Sequence, residues 1–291
     1  MSKSTEVAEA TRNPGSILTG EVMDQSTGEM VKTDFALPAD LLAEVDELGG
    51  LGYSENSEDS MIPILAILQD NSAEVKKKHP KYIEGAEAGD FIIRSLNRVI
   101  KMGDNLPPIL LQPAGFHHVW VEWEGEPGEG SPVNQYPFEQ RPEEAQETVD
   151  PQNADRTIWR MPNSNRLVDT RYHYCNLLDD QGGAMAIVVP MGGSNHTTSR
   201  SWTAQMKQHR IPGRAQKAPS FFRQYGMRTR YRQRGEQSWF QYVVDDLGWL
   251  ADESVLRAGL SLLKSVEEET LVAETAEATK DSTAKGDDVP I

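Results

Sequence analysis

Cysteine is nearly absent: Cys175 stands alone among 291 residues. That excludes an internal disulfide and fits a reducing, cytoplasmic setting. Without a second cysteine, and with no CxxC or HxxxH pair, a four-ligand structural zinc site has nothing to build on, so no metal is expected. His173 and Cys175 share one strand face, which is short of a ligand set. No run of about 18 apolar residues is present, so no membrane span is expected. The acidic, Ser/Thr-rich start lacks the apolar stretch of a signal peptide. Neither GxxxxGK[ST] nor GxSxG occurs; Met191-Gly192-Gly193-Ser194-Asn195-His196 reads as a turn whose amides could hold a phosphate. Asp169 is the sole acid between Arg156 and Leu178, too few carboxylates there for metal-assisted nuclease chemistry. These gaps exclude most enzyme classes, and no catalytic residue or cofactor is expected. Hydrophobic residues make up 37% against the roughly 45–50% of an ordinary domain, so part of the chain is tail.

Charge is present but segregated. The whole chain carries −16, yet residues 156–234 hold fourteen Arg and Lys against three acids, a balance of +11. The rest therefore carries −27, concentrated in 1–60 (−10), 122–155 (−9) and 245–291 (−8). This pattern predicts a basic surface framed by acidic segments. Twelve of the fourteen cations are Arg, whose planar fork suits phosphate and ring stacking.

Along the chain, residues 1–34 show no periodicity and read as disordered. A short amphipathic helix follows, with Leu41, Leu42, Val45 and Leu48 on one face. Residues 1–54 thus form a mostly disordered segment. From 55 to 250 the pattern is many short strands, among them Phe91–Ser95, Arg98–Met102, Ile109–Gln112, Phe116–Trp123, Arg166–Leu178, Ala184–Pro190, Arg223–Gln233 and Ser238–Val244. The fold class expected is mainly β: an OB-like small barrel or curved antiparallel sheet with one or two helices. One helix is capped by Ser199, with Trp202 and Met206 a turn apart. The Pro-rich acidic stretch 124–155 reads as a long loop inside this domain, inert or serving as a flap over the basic groove. Residues 251–291 comprise a helix capped by Asp252, burying Val255, Leu256, Leu260, Leu263 and Val266, then an acidic tail.

The residues expected to bind nucleic acid cluster in the basic stretch. If 227–234 is a strand, Arg228, Arg230, Arg232 and Arg234 share one face at period two, spaced to track phosphates, while Tyr231 takes the other. Nearby rings, Phe222, Tyr231 and Trp239, offer faces for bases. Arg223, Arg200 and Lys207 on the preceding helix, and Arg214 and Lys217 in the basic loop 211–219, extend the surface. Arg171 joins it from an earlier strand, whose Tyr172 and Tyr174 read as a stacking or core pair.

Two stretches carry resemblances. Met61-Ile62-Pro63-Ile64-Leu65-Ala66-Ile67-Leu68-Gln69-Asp70, then Ser72, Glu74-Val75 and Tyr82-Ile83-Glu84-Gly85-Ala86-Glu87-Ala88-Gly89-Asp90, resemble the opening of phage-encoded proteins of replication and recombination loci. The ending Asp287-Asp288-Val289-Pro290-Ile291 is similar to the acidic tip of bacterial single-stranded DNA-binding proteins. In those tips two Asp, one residue, an aliphatic, Pro and a final Phe recruit replication and repair enzymes. Here Val289 follows the acids directly and Ile291 replaces the Phe. The resemblance implies a partner-binding tip at Asp287, Asp288, Val289, Pro290 and Ile291, and a phage protein working in the host cytoplasm. Together these features predict a non-enzymatic, sequence-independent single-stranded DNA-binding protein acting in phage replication or recombination. Homo-oligomerisation is left open. A single-strand annealing protein would use the same ligand. An acidic interaction or DNA-mimic protein would instead turn the −27 toward a host factor.

Overall fold

The computed structural model describes residues 17–23, 30–36, 61–125, 132–151, 153–179, 183–211, 215–268 and 272–273. The chain divides into two units, 1–55 and 56–291. In the first, β1 (Ile17–Met23) and β2 (Met30–Ala36) form an antiparallel hairpin with Leu18 opposite Phe35 and Val22 opposite Val31. The sequence offered no periodicity there, and the order comes from the pairing of the two strands. The amphipathic helix expected at 41–48 lies outside the described residues.

The second unit opens with β3 (Met61–Ile62) and β4 (Leu65–Ile67), separated at Pro63, which lacks the amide a continuous ladder needs. β4 pairs with β5 (Phe91–Ile93), and β5 with β6 (Arg98–Ile100), in a small antiparallel sheet. The main sheet is built on two long strands. These are β7 (Ile109–Trp123) and β11 (Arg166–Leu178), paired antiparallel along their length. The pairing shifts register where Pro113–Gly115 meets Tyr174 and Cys175, a bulge that bends the strands and accommodates the proline. The two expected strands within 109–123 are therefore one.

Around this pair the sheet forks. At one end β8 (Pro132–Pro137) joins β7, and β10 (Asn153–Arg160), carrying β9 (Gln146–Asp150), joins β11. At the other, β12 (Ala184–Gly192) joins β11, and β13 (Arg223–Arg234) joins β7 and continues into β14 (Gln237–Trp249). The result is a curled, antiparallel half-barrel with two helices, the OB-like curved sheet expected from the strand pattern. A two-residue strand, β15 (Val272–Ala273), pairs in parallel with β3.

Both faces of the sheet are buried. On one, α1 (His196–Gln208) and the small sheet enclose Leu65, Phe91, Leu111, Cys175, Ile187, Trp202, Tyr225 and Met227. On the other, α2 (Glu253–Glu267) covers Ala114, Val121, Tyr172, Tyr174, Phe221 and Val188. Asp252 caps α2 as expected, accepting from the amides of Ser254 and Val255. The buried stripe, however, is Val255, Gly259, Leu262 and Val266, while Leu260 is exposed. The reason is close approach. A Cβ on Gly259 would lie 2.7 Å from Phe221, and one on Gly115 would lie 2.8 Å from Val266, so the helix turns its small residue to the sheet. Gln112, fully buried, locks this contact: its Nε2 donates to the carbonyls of Phe221 and Val255, both at 2.8 Å, and its Oε1 accepts from Asn176. Ser199 does not cap α1. The helix begins three residues earlier, and buried Ser199 bonds His173 Nε2 at 2.8 Å.

The stretch 124–155 is not one loop. Its described part supplies β8, a turn at Phe138–Gln140 and β9. The signal missed was Glu122, which is 2% exposed at the end of β7. Its carboxylate accepts from Tyr136, Asn134, Asn163 and Asn165, at 2.6–3.2 Å. Burial alone would raise its pKa, but these donors outweigh burial and hold it below the usual carboxylate range. One buried charge thus gathers β8 and the 162–165 turn onto β7.

Candidate nucleic-acid interface

β13 changes character midway. Tyr225, Gly226 and Met227 are buried, and from Arg228 to Arg234 every residue but Thr229 is exposed. Beyond Met227 it pairs with β14 alone, since β7 reaches only as far as Met227. The outer parts of β13 and β14 therefore form a two-stranded arm. Arg228, Arg230, Arg232 and Arg234 stand opposite Val243, Gln241, Trp239 and Gln237, which puts all four on one face with Trp239 among them. Arg228 lies 3.8 Å from Asp245, and Arg232 Nε donates to Gln241 at 3.1 Å. Arg230 and Arg232 border a groove of about 260 Å³ against α1, whose Thr197, Ser201 and Gln205 form its far side. Tyr231, 51% exposed, stands on the other face beside Phe240.

The free edge of β14 is closed by side chains from elsewhere. Gln69 accepts from the amide of Phe240 and donates to its carbonyl. Asn195 accepts from the amide of Tyr242, and Thr198 donates to its carbonyl. An edge so occupied offers no template for strand addition between Phe240 and Tyr242.

The remaining sequence-predicted residues divide three ways. Arg200 and Lys207 are exposed on α1, and Lys217 is exposed in a bridge with Arg210. Arg223 is committed: both Asp246 oxygens hold its guanidinium at 2.6–3.1 Å, and it lies 4.7 Å over the Trp249 ring. Phe222 is half-buried against Phe221. Of the stacking or core pair, Tyr172 and Tyr174 are 1% and 3% exposed, so they are core and offer no ring face to a base. Burial raises both phenols, that of Tyr174 to about 12. Arg171 is half-buried on the α1 side, one guanidinium nitrogen enclosed without a partner among the described residues. It stands beside His173, which burial and this cation drive down to about 3. Arg214 and the tip Asp287, Asp288, Val289, Pro290 and Ile291 lie outside the described residues.

Sequence reasoning passed over two features. Lys76, Lys77, Lys78 and Lys81, four lysines in six positions, are exposed on a loop held by turn hydrogen bonds. That loop belongs to the lobe whose Asp70 meets Ser238 near the arm's tip and whose Gly89 carbonyl accepts from Thr229 at its root. The second is a row of rings. Phe138 stacks on His118 at 3.6 Å and on Trp120 at 5.4 Å, and Arg141 lies 3.6 Å over Trp159. Asp169 Oδ1 sits 2.6 Å from His118 Nε2 and 3.5 Å from His196 Nε2. Burial, with the Arg171 and Arg200 charges, holds His196 below its ordinary value against the pull of Asp169. Its Nε2 donates to the Asp169 carbonyl at 2.9 Å. Among the described residues no His, Cys and carboxylate group is arranged to hold a metal ion, and no helix is long and apolar enough to cross a membrane.

The curled sheet and its arm define a mainly β protein with an OB-like core. The chain belongs to the family of Pam3 phage gp34-like proteins, whose model matches residues 31–272. It is a phage protein. No curated protein and no solved structure matches it.

Proposed function

We propose that this phage protein binds single-stranded DNA without regard to sequence, covering exposed strand during replication or recombination, and that it is a binder rather than an enzyme. The observation that carries the reading is the four-arginine ladder on the arm. Alternate residues of a strand repeat at about 6.8 Å, a spacing close to that of successive phosphates on an extended single strand. Among the described residues Arg230 and Arg234 make no ion pair, and both are exposed on the arm. Trp239 on the ladder face and Tyr231 behind it supply stacking surfaces, each stacked base contributing about 1–3 kcal/mol. The exposed lysine loop 76–81 adds charge on the lobe that contacts the arm, and Arg200, Lys207 and Lys217 add it along α1 and the loop after it. The acidic tip Asp287, Asp288, Val289, Pro290 and Ile291 recruits partner enzymes in this reading.

A mobility-shift comparison of oligo-dT, duplex DNA and RNA at two salt concentrations tests it. Oligo-dT is expected to bind best, with a log–log salt slope of about −0.7 per phosphate neutralised. Equal affinity for duplex of the same length, or no binding at low salt, overturns the reading.

A further inference from the structure

β11 is paired with β7 throughout, but its other edge is not continuously paired. β10 leaves it at Arg166–Leu167 and β12 joins it at Thr170. Val168 and Asp169 therefore face no strand on that side, and the sheet opens into a cleft of about 760 Å³. Such a volume falls in the range of about 300–1,000 Å³ typical of small-ligand sites. The carbonyl that the fork exposes, Asp169 O, is already satisfied by His196. The cleft is thus not a defect awaiting another strand.

Its walls come from three elements. Trp159 and Arg166 stand on the β10 side, Ser194 and His196 at the start of α1, and Arg234 and Trp239 at the end of the arm. Two features suit one nucleotide unit. Rings from β10 and β14, Trp159 and Trp239, both line the cleft. Arg234, the last rung of the ladder, lines the cleft as well as the arm, so a strand tracking the ladder arrives at the mouth. The carboxylate of Asp169 is engaged by His118 at 2.6 Å.

We propose that this cleft takes one unstacked base of the bound strand, with the base against Trp239 and Trp159 and its phosphate on Arg234. The proposal rests on the single-strand reading above, and it adds a defined base pocket to a phosphate track. It implies that the protein senses the presence of a base at one position, not only backbone charge.

The test compares oligo-dT with an oligonucleotide of equal length whose sugars carry no base, on wild type, Trp239→Ala, Trp239→Phe and Arg234→Ala. Wild type is expected to prefer oligo-dT by about tenfold or more, from the stacking contribution of a single base. Trp239→Ala should cut that preference several-fold without changing the salt slope. Trp239→Phe keeps a smaller ring in the wall, so a partial loss is expected even if the alanine variant is poorly folded. Arg234→Ala should weaken both oligonucleotides and lower the slope by about 0.7. A preference that survives both Trp239 variants overturns the pocket while leaving the ladder standing. So does salt-dependent binding of both oligonucleotides with no preference in wild type. If neither binds at low salt, the single-strand reading itself falls.

Discussion

β11 and β13 carry nearly the same vocabulary. One reads Arg171-Tyr172-His173-Tyr174, the other Arg228-Thr229-Arg230-Tyr231-Arg232. In β11 the tyrosines are buried and the arginine half-enclosed; in β13 the same residue types are exposed. The difference is one of position. β11 has strands on both edges and a helix over each face, so alternate residues are buried whichever way they point. Past Met227, β13 has one neighbour, and its side chains keep their water. Charge and aromaticity nominate a surface, but neighbours in the sheet decide whether it exists.

The largest expected effect sits on the buried side of this comparison. Tyr172→Ala removes a ring enclosed beneath α2 and should destabilise by about 3–5 kcal/mol in urea unfolding, as buried aromatic truncations do. Tyr231→Ala should stay within about 0.5 kcal/mol, as exposed substitutions do. Equal losses at the two sites would mean that the arm is packed rather than free.

Next comes the ladder. Arg228, Arg230 and Arg232 changed together to Ala should flatten the salt slope for oligo-dT by about two units, three contacts at about 0.7 each. The weakening should be similar for all base sequences, with unfolding little changed. An unaltered affinity in a folded triple variant would place the binding surface elsewhere, the lysine loop 76–81 being the first alternative.

The smallest effect belongs to Glu122, on the central strand. Its pKa is depressed in the folded protein, so its contribution to stability is present above the ordinary carboxylate range and lost as pH falls through the lowered value. Glu122→Gln should therefore lose part of its stability at neutral pH and show a flatter acid limb in a melting-temperature profile. A variant whose acid limb matches wild type would show that other carboxylates govern acid unfolding.

Much of the fold was legible because its signals are local. The alternation Val119-Trp120-Val121 announced a strand, Asp252 a helix start, and the short strands with turn residues between them a curved sheet. The arm's arginine register was legible for the same reason, since period two needs no partner to be recognised. What escaped is what two distant segments decide together. The placement of β8 depends on Glu122 finding donors as far away as Asn165. The cleft depends on where β10 leaves β11 and on the arm reaching it, and no local pattern around Trp159 or Val168 says so. The tyrosines of β11 were ambiguous because burial is a property of the neighbours.

The parallel pairing of β3 with β15 has a topological consequence. Met61 and Val272 stand in register, so these two positions, 211 residues apart in the chain, lie about 4.8 Å apart, one strand spacing. The path from 61 to 273 is therefore nearly a closed ring. Joined there and cut instead at an exposed turn such as Gly235-Glu236, the same elements would be traced in a new order, which makes this body a natural host for circular permutation.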